Sequence, residues 1–76
     1  MSYEAARNRL ISRLEDIREK KNMDNREFSA YLGLSAYTYD YWKYKGGMPT
    51  LYTTMIIAEK LGMTLDQLLG IGGKKK

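Results

Sequence analysis

Glycines divide the chain from residue 33 onward into short segments. They stand at positions 33, 46, 47, 62 and 70, with two more near the end at 72 and 73, and the only proline is at position 49. Hydroxyl residues that can cap a helix lie near the start of these segments, at Ser35, Thr50 and Thr64. Because glycine readily adopts the left-handed conformation that ends helices, this pattern predicts short, capped helices.

The first third of the chain fits the same scheme. Between about residues 3 and 21 there is no glycine or proline, and apolar residues recur every three or four positions, at Ala6, Leu10, Leu14 and Ile17. This period places them on one face of a first helix. Asp24 and Glu27 can form a capping box for a second, short helix that ends at Gly33.

The third segment, "SAYTYDYWKYKGG", is locally ambiguous. The alternation of Tyr37, Tyr39 and Tyr41 is typical of a half-buried strand, but no other segment alternates, and a lone strand cannot satisfy its backbone hydrogen bonds. We therefore predict a helix over about residues 36–44, capped by Ser35. It would bury Tyr39 and Trp42 and would point five residues outward: Ala36, Tyr37, Asp40, Tyr41 and Tyr44.

Two more helices are predicted after Pro49. The inward face of the fourth is expected to carry Leu51, Met55, Ala58 and Leu61, and that of the fifth Leu65, Leu68 and Leu69. The predicted fold class is all-α, with one five-helix domain over residues 1–70 and a flexible basic tail at residues 71–76.

Composition argues against several kinds of functional site. The 76 residues include no cysteine and no histidine, which excludes thiol nucleophiles, imidazole bases and zinc sites built from these residues. So short a chain also has little interior in which to enclose a substrate, so we expect no enzyme, metal site, cofactor or small-molecule substrate. Without disulfides or a long apolar stretch, we expect a cytoplasmic protein that does not enter a membrane. The net charge is +4, but three of the positive charges are the lysines at 74–76, so basicity alone does not indicate nucleic acid.

Two stretches together carry a more specific signal: "IREKKNMDNREFSAYLGLSAYTYDYW" and, further on, "PTLYTTMIIAEKLGMTLDQLLG". They resemble the lambda-repressor-like helix-turn-helix proteins, which include the Cro-type and XRE-type regulators. The resemblance covers about residues 14–70. It implies a five-helix DNA-binding domain whose third helix, at about residues 36–44, lies in the major groove of double-stranded DNA. It also implies a repressor-like regulator of transcription from a bacterium or phage.

The resemblance assigns roles to eight positions. In the family, base contacts come from the start of the third helix, which implies base-facing roles for Ala36, Tyr37, Asp40 and Tyr41. Phosphate contacts come from the first residue of the second helix and often from the loop after the third, which implies such roles for Asn25, Lys43, Tyr44 and Lys45. A homodimer on a pseudo-palindromic operator is expected, with the contact near Leu69 and Ile71 or along the first helix.

Some of these positions depart from the family's pattern. Tyrosines and Asp40 stand where Gln, Arg, Asn or Ser are common, and an aspartate repels phosphate and accepts only from a cytosine amine. Lys43 replaces a glutamate, so an ion pair between that position and Arg18 is not expected. Because tyrosine-rich faces also bind proteins, the alternative is a helix-turn-helix fold reused as an antitoxin-like or regulatory protein-binding module.

Overall fold

The computed structural model describes residues 2–70, and within them the chain forms five α-helices and no strand. This confirms the predicted all-α fold class. The helices are α1 (Tyr3–Lys20), α2 (Asn25–Tyr31), α3 (Thr38–Tyr44), α4 (Leu51–Leu61) and α5 (Leu65–Leu69). The predicted tail at residues 71–76 lies outside the described residues.

Local capping bonds explain where most helices begin and end. The Asp24 carboxylate accepts from the Glu27 amide at 2.8 Å while Glu27 accepts from the Asp24 amide, which is the predicted capping box. Thr64 and Gln67 form a second box at the start of α5. Gly62, with φ of +69°, adopts the left-handed conformation that ends α4.

The start of α3 differs from the prediction. The helix begins at Thr38, whereas the sequence indicated a start near Ala36 with Ser35 as its cap. The Thr38 amide donates to the Ser35 carbonyl at 3.1 Å, which makes a turn of residues 35–38. The Ser35 hydroxyl pairs with the Thr38 hydroxyl and so does not cap the helix backbone. Ala36 and Tyr37 therefore belong to the turn before α3.

The core lies where all five helices meet. It is built from buried apolar side chains of each: Leu10, Leu14, Phe28, Leu32, Tyr39, Trp42, Ile57, Ala58 and Leu68. The Phe28 and Tyr39 rings meet edge to face, 5.1 Å between centroids, where α2 packs on α3. Ser29 is fully buried at the same contact, and its hydroxyl accepts from the Tyr39 amide at 3.2 Å. A larger side chain than serine would separate the two helices there.

α4 buries a different face from the predicted one. Leu51 and Met55 were expected to point inward, but they are 70% and 53% exposed. The buried residues are Thr54, Ile57 and Ala58, and of these only Ala58 was predicted. Thr54 can be buried because its hydroxyl donates to the Thr50 carbonyl at 2.8 Å and so keeps a hydrogen bond.

Candidate functional site

The exposed side of α3 carries a cleft of about 260 Å³, lined by Tyr37, Asp40, Tyr41, Tyr44 and Lys45. We call these five residues the tyrosine cleft. All five belong to the eight predicted site residues, three from the base-facing set and two from the phosphate set. The side-chain directions on this helix are as predicted, because the three cleft tyrosines are exposed while Tyr39 and Trp42 are buried.

Each ring of the tyrosine cleft contacts a neighbour outside it. The Arg26 guanidinium lies over the Tyr37 ring, 5.6 Å from its centroid, and the Lys43 ammonium lies 5.2 Å from the Tyr44 centroid. The backbone of Gly47 lies against the Tyr41 ring, so closely that a Cβ atom there would clash with the ring. These contacts favour one arrangement of the three rings.

Asp40 is held within the cleft by the first residue of α2. The Asn25 amide nitrogen donates to Asp40 Oδ1 at 2.7 Å, so this contact joins α2 to α3. Both side chains are half-buried. A phosphate contact from the Asn25 side chain, as predicted, would compete with Asp40 for the amide group.

Ala36 lies apart from the tyrosine cleft. It lines a separate depression with Asp24, Arg26, Glu27 and Ala30. This follows from its place in the turn before α3, since a helix starting at residue 36 would have aligned it with Asp40. Arg26 connects the two surfaces, because it lines the depression and also stacks on Tyr37. Sequence reasoning did not single out Arg26, although its position next to Asn25 is a signal that could have found it.

Lys43 takes part in a network centred on Glu15 of α1. Its ammonium lies 3.1 Å from Glu15 Oε1, and its side chain is only 16% exposed. Glu15 also accepts from Arg18 at 2.9 Å and from the Tyr39 hydroxyl at 2.6 Å. Glu15 lies between Lys43 and Arg18 and binds both cations. The predicted phosphate contact from Lys43 would require its ammonium to leave this network.

The network shifts the protonation of its members. The hydrogen bond from Arg18 lowers the pKa of Glu15 to about 2, with further lowering from Tyr39 and Lys43 against the opposing effect of burial. Burial and the bond to Glu15 raise the pKa of the Tyr39 hydroxyl well above its usual range. Glu15 is therefore ionised and Tyr39 neutral at ordinary pH.

Arg7 of α1 binds the C-terminal end of α3, and sequence reasoning missed it. Its guanidinium donates to the carbonyl of Trp42 and, through Nε, to that of Gly47 at 3.1 Å. It thereby satisfies the Trp42 carbonyl in the last turn of α3 and binds the loop residue Gly47, which touches Tyr41. One arginine among several on α1 gives no sequence signal for this role.

A second exposed surface lies on α4. It consists of Leu51, Tyr52, Met55 and Ile56, all of them exposed, and we call it the α4 apolar face. Their spacing puts them on one side of the helix, opposite Thr54, Ile57 and Ala58. Contiguous exposed apolar residues of this kind mark contact surfaces more often than isolated ones do.

The chain gave no match in comparisons with protein-family models, with curated proteins or with solved structures. Among residues 2–70, no helix is long and apolar enough to cross a membrane. In the same residues no three acidic side chains gather in a way that could hold a metal ion.

Proposed function

We propose that this protein is a sequence-specific regulator that binds double-stranded DNA, with α3 and the turn before it in the major groove. One observation carries the proposal. The exposed side of α3 presents rings, a carboxylate and an ammonium together, while the opposite side of the helix is anchored in the core. The major groove admits an α-helix, and its base edges offer apolar and hydrogen-bonding groups to such side chains.

Phosphate contacts are proposed from cations at the margins of the tyrosine cleft. Lys45 lines the cleft and is exposed, and the exposed Arg26 stacks on Tyr37 at its other end. Both can reach outward without breaking an ion pair within the described residues. Of the four predicted phosphate contacts, Lys45 therefore has the strongest support, and Arg26 is added to the set.

We also propose that two copies bind DNA as a symmetric dimer. A single short helix reads only a few base pairs, so two half-sites about one turn apart, roughly 34 Å, would supply the specificity. Leu69 is half-buried against the core, and Ile71 lies outside the described residues. The α4 apolar face is the better-supported contact surface, because a two-fold contact must be self-complementary and apolar side chains meet that condition.

A second candidate function is protein binding through the tyrosine cleft. The observation that favours it is the composition of the cleft, in which three aromatic rings outnumber the charged groups. Tyrosine provides a large contact area with little loss of side-chain entropy, which suits protein interfaces.

Selection of bound duplexes from a random pool tests the proposal. We expect enrichment of a palindromic motif, and we expect Tyr37→Ala and Tyr41→Ala each to cost about 1–3 kcal/mol of discrimination at particular base positions. Tyr3→Ala, at an exposed tyrosine on α1, is the matched control and should retain the motif. A pool that shows no enrichment over input would refute DNA reading and would favour a protein partner.

A further inference from the structure

The tyrosine cleft combines an apolar surface with a charged acceptor. Three rings, from Tyr37, Tyr41 and Tyr44, form an apolar lining, and the Asp40 carboxylate stands among them. One oxygen of that carboxylate, Oδ1, accepts from Asn25 at 2.7 Å. Within residues 2–70 no hydrogen bond reaches the other oxygen, Oδ2, which leaves an acceptor for a ligand beside an apolar surface.

This pair of features defines what a matching base must offer. Aromatic rings favour a methyl group, and a carboxylate favours an N–H donor and repels a carbonyl oxygen. In the major groove thymine offers a methyl group beside a carbonyl oxygen, whereas cytosine offers an amine without a methyl group. A cytosine methylated at C5 offers both required groups, the methyl group and the N4 amine, on adjacent ring atoms.

Other methylated bases do not meet the requirement. In a duplex, N6-methyladenine and N4-methylcytosine each have one N–H left on the exocyclic nitrogen, and base pairing uses it. Unmethylated adenine offers an amine but no methyl group. Among these bases only 5-methylcytosine fits the rings and the carboxylate together.

We propose that the tyrosine cleft reads 5-methylcytosine in double-stranded DNA, with the methyl group among the tyrosine rings and the N4 amine on Asp40. The inference rests on the proposed DNA-binding function and specifies its ligand. Arg26, Gly47 and Lys43 each contact one of the three rings from outside the cleft.

The test uses the full chain and duplexes that carry the motif selected from a random pool. In one series of duplexes, each cytosine of the motif is replaced in turn by 5-methylcytosine. In a second series, each cytosine–guanine pair is replaced in turn by a thymine–adenine pair. The Kd for every duplex is measured by fluorescence anisotropy. At one position per half-site we expect 5-methylcytosine to bind about fourfold more tightly than cytosine, as burial of one methyl group predicts. Thymine there should bind about tenfold more weakly than 5-methylcytosine, or worse.

Two variants separate the two contacts. Tyr41→Ala should abolish the preference for 5-methylcytosine over cytosine and retain the preference for cytosine over thymine. Asp40→Asn should retain the preference for 5-methylcytosine over cytosine and abolish the preference for cytosine over thymine. If the amide oxygen keeps the bond from Asn25, the amide nitrogen faces the base and can donate to the thymine oxygen. Tyr3→Ala should leave both ratios unchanged.

The outcomes distinguish this inference from the function on which it rests. If the chain selects a DNA motif but no cytosine responds to C5 methylation, the inference is wrong and DNA reading stands. If methylation helps but Asp40→Asn leaves the rejection of thymine intact, the carboxylate is not the reader and the inference is likewise overturned. If the chain binds no duplex, methylated or not, both proposals are overturned.

Discussion

The tyrosine cleft on α3 and the α4 apolar face are both exposed, but they differ in what they can bind. The cleft rings carry hydroxyl groups, stand beside Asp40 and Lys45, and each contact a neighbouring residue. In the α4 apolar face, Tyr52 alone has a polar atom in its side chain. The cleft therefore suits a ligand with fixed hydrogen-bonding groups, and the α4 apolar face suits another apolar surface.

The largest expected effect tests the division between the two sides of α3. Tyr39→Ala should lower the free energy of unfolding by about 2–4 kcal/mol, because it leaves a cavity in the core. Tyr41→Ala, two residues further along, should change it by less than about 0.5 kcal/mol, since that ring is exposed. Urea denaturation measures both. Equal losses would show that the cleft rings are part of the core packing.

The next effect concerns the α4 apolar face. Met55→Lys should weaken self-association by about tenfold or more, because a two-fold contact would bury the charge twice. Tyr3→Lys places the same charge at an exposed site on α1 and should leave association unchanged. Sedimentation equilibrium over a concentration series measures this. A dimer that tolerates Met55→Lys would place the contact elsewhere, with α5 or α1 as the predicted alternatives.

A smaller effect concerns the network behind α3. Because the pKa of Glu15 is lowered from 4.5 to about 2, the ionised form stabilises the fold above pH 4.5, and this contribution is lost as the pH falls toward 2. Water screens the pairs, so we expect about 1 kcal/mol or less. Glu15→Gln should remove this part of the acid sensitivity. The difference in the free energy of unfolding between wild type and variant should be smaller at pH 2.5 than at pH 7. An equal difference at the two pH values would contradict the prediction.

How well the sequence predicted these regions depends on the range of the interactions that shape them. The helix starts at Asp24 and Thr64 were predictable because each cap bonds an amide three residues away. The cap predicted for α3 was wrong because Ser35 found another hydroxyl, that of Thr38, within the same distance along the chain.

Periodicity could not predict which side of α4 is buried, because apolar residues occur on both of its sides. Leu51 and Met55 fit one helical stripe and Ile57 fits another, so the other helices decide which is buried. In the candidate site, the exposure of the other tyrosines was predictable, because Tyr39 and Trp42, three residues apart, define the buried side of α3. The bond between Lys43 and Glu15 joins two helices distant in sequence, and no local pattern indicates it.

The smallest expected effect is a difference between two lysines at the end of α3, Lys43 and Lys45. It follows from the ion pair between Lys43 and Glu15. Lys45→Ala should weaken binding to all duplexes about equally. It should also make the negative slope of log K against log salt less steep by about one, as the loss of one phosphate contact predicts. Lys43→Ala should leave the slope near that of the wild type, because the Lys43 ammonium is engaged by Glu15 at 3.1 Å. Fluorescence anisotropy titrations between about 50 and 200 mM salt measure the slope for each variant. If Lys43→Ala lowers the slope as much as Lys45→Ala does, the ammonium leaves Glu15 when DNA binds, and the network opens as part of binding.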